Sequence, residues 1–143
     1  MLIGSYSAVL SDSRRVAVPK KFNEELGSKP IVAKWYEDCL IIVSNGFWEN
    51  LSKRLTGDRK TIDLGVRDIE RFILGSAFET EPDEQGRIII PELLAKYAKF
   101  DKDLVFVGLI DRVEIWPKKV WDEKSETLAV TTKEYIESIN KNV

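Results

Sequence analysis

Residues 83–91 read DEQGRIIIP, and residues 15–19 read RVAVP. Both stretches contain an arginine, three apolar residues and a proline, and their arginines lie 72 positions apart (87 minus 15). With one residue inserted the correspondence continues, since Phe47-Trp48 matches Val120-Trp121. Matches that recur in one order indicate an internal duplication. The chain is therefore interpreted as two copies of one unit joined by a connector.

This duplication defines the predicted organisation of the chain. We expect a first repeat at 5–47, a helical connector at 48–75, a second repeat at 76–119 and a C-terminal helical segment at 120–143. A unit this small cannot bury a full core alone, so strands of one copy should complete the sheet of the other with pseudo-twofold symmetry. The predicted fold class is α+β, with two β-hairpin/short-helix repeats packed into a strand-rich, barrel-like core with added helices.

In each copy the pattern predicts a strand, a polar turn, a second strand that begins at the arginine (the arginine strand), a helix and a hairpin. Proline at the end of the arginine strand suits the first position of the following helix, where its missing N–H costs nothing. The expected strands are 6–10, 31–35, 40–44, 77–80, 104–109 and 113–116, besides those ending at Pro19 and Pro91. The expected apolar helix faces are Phe22 with Leu26, and Leu93 and Leu94 with Tyr97. The connector and tail should contain helices at Phe47–Leu55, around Val66, Ile69 and Ile73 up to Gly75, and at Thr132–Asn140, with a polar loop at Thr56–Thr61.

Composition narrows the possible functions. The chain has no histidine and one cysteine, which excludes histidine-dependent catalysis, histidine-ligated metals and multi-cysteine zinc sites. Cys39 heads an apolar run and is expected to be buried and inert. Without a glycine-rich phosphate loop, pairs such as Asp83-Glu84 and Asp122-Glu123 read as surface charges. We therefore expect no enzymatic activity, cofactor, metal or small-molecule substrate.

Charge and hydropathy favour a soluble protein with local basic patches. The net charge is −2, but the first 75 residues have 12 basic against 10 acidic residues, and the rest have 10 against 14. No apolar run is long enough for a membrane span, and the N-terminus lacks the features of a signal peptide. We expect a cytoplasmic protein. Arg14, Arg15, Lys20 and Lys21 form a basic cluster around one arginine strand, which suits contact with phosphates.

The turn before Arg87 contains residues with defined conformational roles. Asp83 is suited to accept backbone N–H groups two residues on, and Gly86 suits the left-handed position that closes such a turn. Asp83 would then lie close enough to hold the Arg87 guanidinium in one orientation. A stable hairpin without further function remains an open alternative.

This constellation resembles the MraZ family of bacterial transcriptional regulators, tandem relatives of the AbrB-type swapped-hairpin DNA-binding modules. The family signature is a doubled aspartate-x-x-x-arginine turn followed by three apolar residues and a proline, and Asp83, Gly86, Arg87 and Pro91 match it. The resemblance covers nearly the whole chain, including residues 39–42, Trp48-Glu49, residues 74–77, residues 107–109, residues 114–116 and Trp121.

The resemblance implies a DNA-binding regulator without enzymatic activity. Members form ring-shaped, octamer-like homo-oligomers that bind direct repeats in the promoter of the division and cell-wall gene cluster, usually as repressors. The resemblance also implies that the protein binds double-stranded DNA, is associated with the nucleoid and does not bind membranes. The implied DNA contacts are Arg14, Arg15, Lys20, Lys21 and Arg87, and the implied turn-orienting residues are Ser11, Asp12, Asp83 and Gly86.

The first copy departs from the signature. Ser11 stands where the family has aspartate, and Arg14 stands where it has glycine. Serine can cap the turn but cannot form an ion pair with Arg15, and a left-handed Arg14 would cost about 1 kcal/mol relative to glycine. Either this turn has another shape or Asp12 substitutes for the missing aspartate. Because four acidic residues surround Arg87, our hypothesis is that the first copy dominates DNA contact.

Two non-enzymatic alternatives remain open at this point. A ring-forming scaffold is one, since four tryptophans are many for this length and could mark subunit interfaces. An AbrB-like antitoxin that binds DNA and also neutralises a partner is the other.

Overall fold

The computed structural model describes residues 1–57 and 63–141, which contain eight strands, five α-helices and two short 3-10 helices. The strands are β1 (Leu2–Val9), β2 (Arg15–Ala17), β3 (Ile31–Lys34), β4 (Leu40–Val43), β5 (Phe78–Glu79), β6 (Arg87–Ile89), β7 (Asp103–Ile110) and β8 (Val113–Pro117). The helices are α1 (Lys20–Leu26), α2 (Asn45–Thr56), α3 (Leu64–Phe72), α4 (Glu92–Tyr97) and α5 (Lys118–Lys141). The α+β class is as predicted.

Six strands form one antiparallel sheet in the order β1-β7-β8-β4-β3-β5. Strands from the two halves of the chain are interleaved, because β1 pairs with β7, β4 with β8 and β3 with β5. The remaining strands, β2 and β6, form a separate two-stranded antiparallel ribbon. Neither half has a complete sheet of its own, as expected for units too small to bury a full core.

The sheet is covered on both faces. Along β4, Leu40 and Ile42 belong to one apolar cluster, whereas Ile41 and Val43 belong to the other. This follows from the two-residue period of a strand. The first cluster includes residues of the ribbon, α1 and α4, and the second includes residues of α2 and α3, with Trp121 of α5 packed against it.

The predicted barrel-like core is wrong. The edge strands β1 and β5 do not pair with each other, so the sheet formed by the described residues is open. One reason is length: β5 has 2 residues against 8 in β1. The other is that the ribbon, α1 and α4 cover one apolar face of the sheet while α2 and α3 cover the other, so neither face has to be buried inside a closed barrel.

Two helix predictions also require correction. Leu93 is 71% exposed, because Leu94 of α4 and Ala98 directly after the helix, spaced by four residues, are the side chains that face the core. The C-terminal helix begins at Lys118 rather than Thr132. No glycine or proline interrupts residues 118–141, and the rings of Trp121 and Trp116 pack 5.8 Å apart at its start. Of the predicted loop at Thr56–Thr61, residues 58–61 lie outside the described residues.

The tryptophans belong to the core. Trp35 and Trp116 are buried in the second apolar cluster, and Trp48 and Trp121 are partly buried against it. They are therefore packing residues within the subunit, which removes the observation that suggested a scaffold.

Close packing of β1 on β7 makes Gly108 sensitive to substitution. A Cβ at Gly108 would lie 2.7 Å from the backbone N of Ile3, so Gly108→Ala should separate two paired strands. We expect a loss of about 1–3 kcal/mol in the free energy of unfolding, measured by urea denaturation. Gly46→Ala is the matched control, since a Cβ there meets no atom within 4 Å, and its stability should be unchanged or higher. Equal stability of Gly108→Ala and the wild type would contradict this packing.

Candidate nucleic-acid interface

The two arginine strands pair with each other across the halves of the chain. In the ribbon Arg15 lies opposite Ile89, Val16 opposite Ile88, and Ala17 opposite Arg87. Val16 and Ile88 are each 1% exposed, whereas the other four side chains are exposed. We call the outward set of Arg15, Ala17, Arg87 and Ile89 the ribbon face. The two arginines occupy diagonal positions on it, and diagonal neighbours in an antiparallel pair are about 7–8 Å apart.

Each turn is docked on the end of the opposite strand. The Val18 N–H donates to the Gly86 carbonyl at 3.0 Å, and the Ile90 N–H donates to the Arg14 carbonyl at 2.8 Å. With Val16 and Ile88 buried below, these bonds fix the backbone of the ribbon. The exposed arginines therefore project from a rigid support.

In the second turn Asp83 organises the backbone and the arginine. Its Oδ1 accepts from the backbone N–H groups of Gln85 and Arg87, each at 2.9 Å. Its Oδ2 accepts from Arg87 Nε at 2.8 Å. Gly86 has φ 76, in the left-handed region. Since the side-chain bond uses Nε, the terminal guanidinium nitrogens remain available to a ligand.

These contacts give Asp83 a measurable pH dependence. Hydrogen bonds from the Arg87 backbone and, secondarily, its guanidinium lower the pKa of Asp83 below its usual value. A lowered folded-state pKa stabilises the protein above the unfolded-state pKa, and that stabilisation is lost as pH falls through the folded-state value. We expect Asp83→Asn to unfold at a lower temperature than the wild type at pH 7, with the difference shrinking below about pH 4. Asp12→Asn controls for the loss of a surface charge, and a pH-independent difference for Asp83→Asn would contradict this role.

The first turn reproduces this geometry with different residues. Ser11 Oγ accepts from the Arg15 N–H at 3.0 Å, in place of an aspartate. Arg14 occupies the left-handed position with φ 62, where the second turn has Gly86. Asp12 is exposed and forms no ion pair within the described residues. The turn therefore keeps its shape through Ser11 and accepts the strain at Arg14.

Arg14 and Arg15 have different environments. Arg14 is half-buried, and its Nε donates to the Ile90 carbonyl at 3.0 Å. The Arg15 side chain is exposed and has no ion-pair partner among residues 1–57 and 63–141. Arg14 is thus held against the second half of the chain, whereas Arg15 points outward on the ribbon face.

The fold redistributes the charges around the two turns. Lys20 and Lys21 line one groove with Gln85, so the lysines of the first half lie beside the acidic second turn. Arg14 lies in another groove with Glu92 and Lys96 of α4. The antiparallel ribbon causes this exchange, because each arginine strand leads its following helix towards the other turn. Both turns therefore have cations and anions close by.

Other candidate chemistry is absent from this surface or buried. Burial raises the pKa of the Cys39 thiol far above its usual range, and the thiol donates to the Tyr36 carbonyl. The described residues contain no cluster of three or more histidine, cysteine or acidic side chains arranged for a metal ion. Within the same ranges, no helix has both the length and the apolar character needed to cross a bilayer.

Two ribbon-face residues were missed by sequence reasoning. Ala17 and Ile89 lie inside runs of three apolar side chains, and the sequence analysis gave neither of them a role. The available signal was the two-residue period of a strand. When the middle residue of a three-residue strand is buried, the residues before and after it lie on the outer face.

Fold and surface together define an α+β protein that presents two arginines on a ribbon built from both halves of its chain. A family model described as "MraZ protein, putative antitoxin-like" matches residues 73–136. Proteins named "Transcriptional regulator MraZ" match over more of the chain. Those of Caldanaerobacter subterraneus subsp. tengcongensis and Thermoanaerobacter sp. strain X514 are each 41% identical over 98% of this chain and 97% of their own. That of Clostridium acetobutylicum is 35% identical over 89% of both. The chain belongs to the MraZ family.

Proposed function

We propose that this protein is a sequence-specific regulator of transcription that binds double-stranded DNA through the ribbon face. The observation that carries the proposal is the diagonal pair of exposed arginines, Arg15 and Arg87, on a rigid two-stranded ribbon. A two-stranded ribbon fits the major groove, and arginine recognises guanine there through O6 and N7. The names of the relatives support the same conclusion.

The surrounding cations act on the phosphate backbone in this proposal. Lys20 and Lys21 are exposed beside the ribbon and contact phosphates, which hold the protein in register without reading sequence. Arg14, fixed through Nε on the Ile90 carbonyl, adds positive charge from a defined position rather than reading a base. Asp83, Gly86 and Ser11 shape the turns that present Arg15 and Arg87.

Both turns take part in this mechanism. The hypothesis that the first copy dominates rested on charges summed along the chain, and the fold places Lys20 and Lys21 beside the second turn instead. We propose that the segments 5–47 and 76–119 act as one paired reading unit, joined by 48–75 and followed by 120–143.

Self-association supplies the affinity that one subunit lacks. A single ribbon with a few cations binds weakly and in a salt-sensitive way, whereas linked subunits on successive repeats bind much more tightly. We propose a ring-shaped, octamer-like homo-oligomer that uses α5. Every described residue from Glu126 to Lys141 is exposed, and Leu128, Tyr135, Ile136 and Ile139 form an unpartnered apolar stripe there.

We propose the promoter of the division and cell-wall gene cluster as the target. The test is nuclease footprinting of the assembled protein on that promoter and on the DNA upstream of its own gene. The proposal expects protection of short direct repeats at low salt, and repression of a reporter placed behind them. Absence of any protection by the assembled protein at low salt would overturn it.

Lys20 and Lys21 provide a prediction that separates phosphate contact from base reading. Lys20→Ala and Lys21→Ala should weaken binding to operator and unrelated DNA by similar factors, because phosphates are common to both. Each lost phosphate contact should reduce the slope of log affinity against log salt by about 1. Lys53→Ala on α2, on the opposite side of the sheet, is the control and should change neither quantity. A selective loss of operator binding would show that the lysines read bases.

A further inference from the structure

Ile89 places a large aliphatic side chain on the ribbon face, and 51% of its surface is exposed. An isolated exposed apolar residue is ordinary on a protein surface, so exposure alone carries no argument. Its position does. Ile89 lies directly opposite Arg15 and two residues after Arg87 on the same strand. A base next to one that either guanidinium group reaches would therefore face this side chain.

The position of Ile89 is fixed by its neighbours. Ile88 and Ile90 on either side are buried, at 1% and 0% exposure. The Ile90 N–H is bonded to the Arg14 carbonyl, and Ile89 is paired with Arg15 in the ribbon. A β-branched side chain in a strand also has few rotamers. The outward methyl groups of Ile89 thus form a small, rigid apolar surface between two cations.

Thymine is the base that matches such a surface. In the major groove its C5-methyl group projects from the base edge and is recognised by apolar side chains. The N7, O6, N6, N4 and O4 positions of the bases instead offer hydrogen-bond donors or acceptors there. A side chain shorter than arginine can reach this methyl because the methyl projects towards the protein. Cβ atoms directly opposite in an antiparallel pair are about 4.5–5.5 Å apart, so the methyl would belong to a base next to the one bound by Arg15.

Arg87 lacks an equivalent neighbour on the opposite strand. Arg87 lies across from Ala17, which corresponds to Ile89 in the internal duplication but ends at Cβ. We propose that Ile89 is a specificity-determining residue that recognises a thymine methyl beside the base bound by Arg15. The two halves of the ribbon then prefer different base steps, and the protein binds its site in one orientation. This inference rests on the proposed DNA-binding function.

The experiment removes the thymine methyl and the isoleucine separately and together. Each thymine in the footprinted repeat is replaced in turn by deoxyuridine, which keeps base pairing and lacks only the C5-methyl. Affinities of the wild type and Ile89→Ala are measured by fluorescence anisotropy on every duplex. We expect the wild type to lose about three- to fivefold at one or two positions, as for one buried methyl group. Ile89→Ala should show a similar loss on the thymine duplex and no further loss at those positions.

Controls separate this inference from the proposed function. Ile89→Val keeps a γ-methyl on each branch and should still lose affinity at the same deoxyuridine positions as the wild type. Val130→Ala, which shortens an exposed aliphatic side chain on α5 outside the ribbon face, should leave the affinity and the deoxyuridine profile unchanged. The inference is wrong, while DNA binding stands, if the wild type binds all deoxyuridine duplexes equally. It is also wrong if the loss caused by deoxyuridine and the loss caused by Ile89→Ala add. If Ile89→Ala changes the mass of the assembly in light scattering, a second copy covers Ile89 and the inference is also wrong. If the wild type does not bind the thymine duplex, the proposed function itself fails.

Discussion

Alanine at both Arg15 and Arg87 should abolish the preference for one DNA sequence. Each bidentate arginine–guanine contact contributes about 1–3 kcal/mol of discrimination, so the double variant should lose roughly 30-fold to 10⁴-fold in operator affinity. Binding to unrelated DNA should fall far less, since it depends on phosphates. The ratio of the two affinities, measured by competition at one salt concentration, checks the prediction. An unchanged footprint of the double variant would exclude the ribbon face as the reading surface.

Lysine variants provide the matched control for charge. Arg15→Lys with Arg87→Lys keeps both charges but removes the planar fork that binds guanine bidentately. This pair should keep most of its affinity for unrelated DNA and lose the operator preference. Retention of full specificity by the lysine pair would show that the two positions act through charge alone.

The single variants decide whether both arginines read DNA or the first copy dominates the contact. Comparable losses for Arg15→Ala and Arg87→Ala would agree with a ribbon in which both arginines are exposed on one face. Full loss with Arg15→Ala and none with Arg87→Ala would favour the dominance of the first copy that the chain charges suggest. Asp83→Asn adds to this comparison, because it removes the carboxylate that holds Arg87 Nε.

Charges placed on the exposed stripe of α5 should dissociate the assembly and reduce operator affinity. Tyr135 and Ile139 are 68% and 46% exposed on the same helix face. Glutamate at both positions would cost desolvation in any interface that buries them. We expect smaller species in light scattering, and an affinity for an operator with several repeats that falls by about 10²- to 10⁴-fold as avidity is lost. Binding to a single repeat should be unchanged.

Val130→Glu is the matched control for this experiment. Val130 is 59% exposed on α5 but lies about half a turn away from Ile139, so it adds the same charge to the other side of the helix. It should leave both mass and affinity unchanged. Dissociated Tyr135→Glu/Ile139→Glu protein that still binds the full operator as tightly as the wild type would disprove the avidity argument.

Local sequence patterns were sufficient for most of the secondary structure. The strand–turn–strand–helix order around Arg15 and Arg87 follows from turn residues and from proline after each strand, features that act within a few residues. The errors arose where distant contacts decide. The stripe of α5 predicted a helix from Thr132, but the helix begins at Lys118, next to the Trp116–Trp121 contact. Leu93 was placed in the core because apolar character alone does not give the rotation of a six-residue helix.

The prediction of a barrel-like core was wrong for a related reason. The continuous apolar runs of β4 and β7 predict strands with two apolar faces, yet they do not specify whether those faces meet each other or separate layers. Closure depends on strand length and on the pairing of the edges, and β5 is too short to extend the sheet towards β1.

By itself the sequence determined the α+β class of the fold and the capping of the second turn by Asp83, because these depend on residues close together in the chain. Only the tertiary structure decided that β2 pairs antiparallel with β6. That pairing joins segments about 70 residues apart, for which no local preference exists. It puts Ile89 across from Arg15 and carries Lys20 and Lys21 to the acidic second turn. Charges counted along the chain could not show this, since electrostatic interactions depend on distance in space.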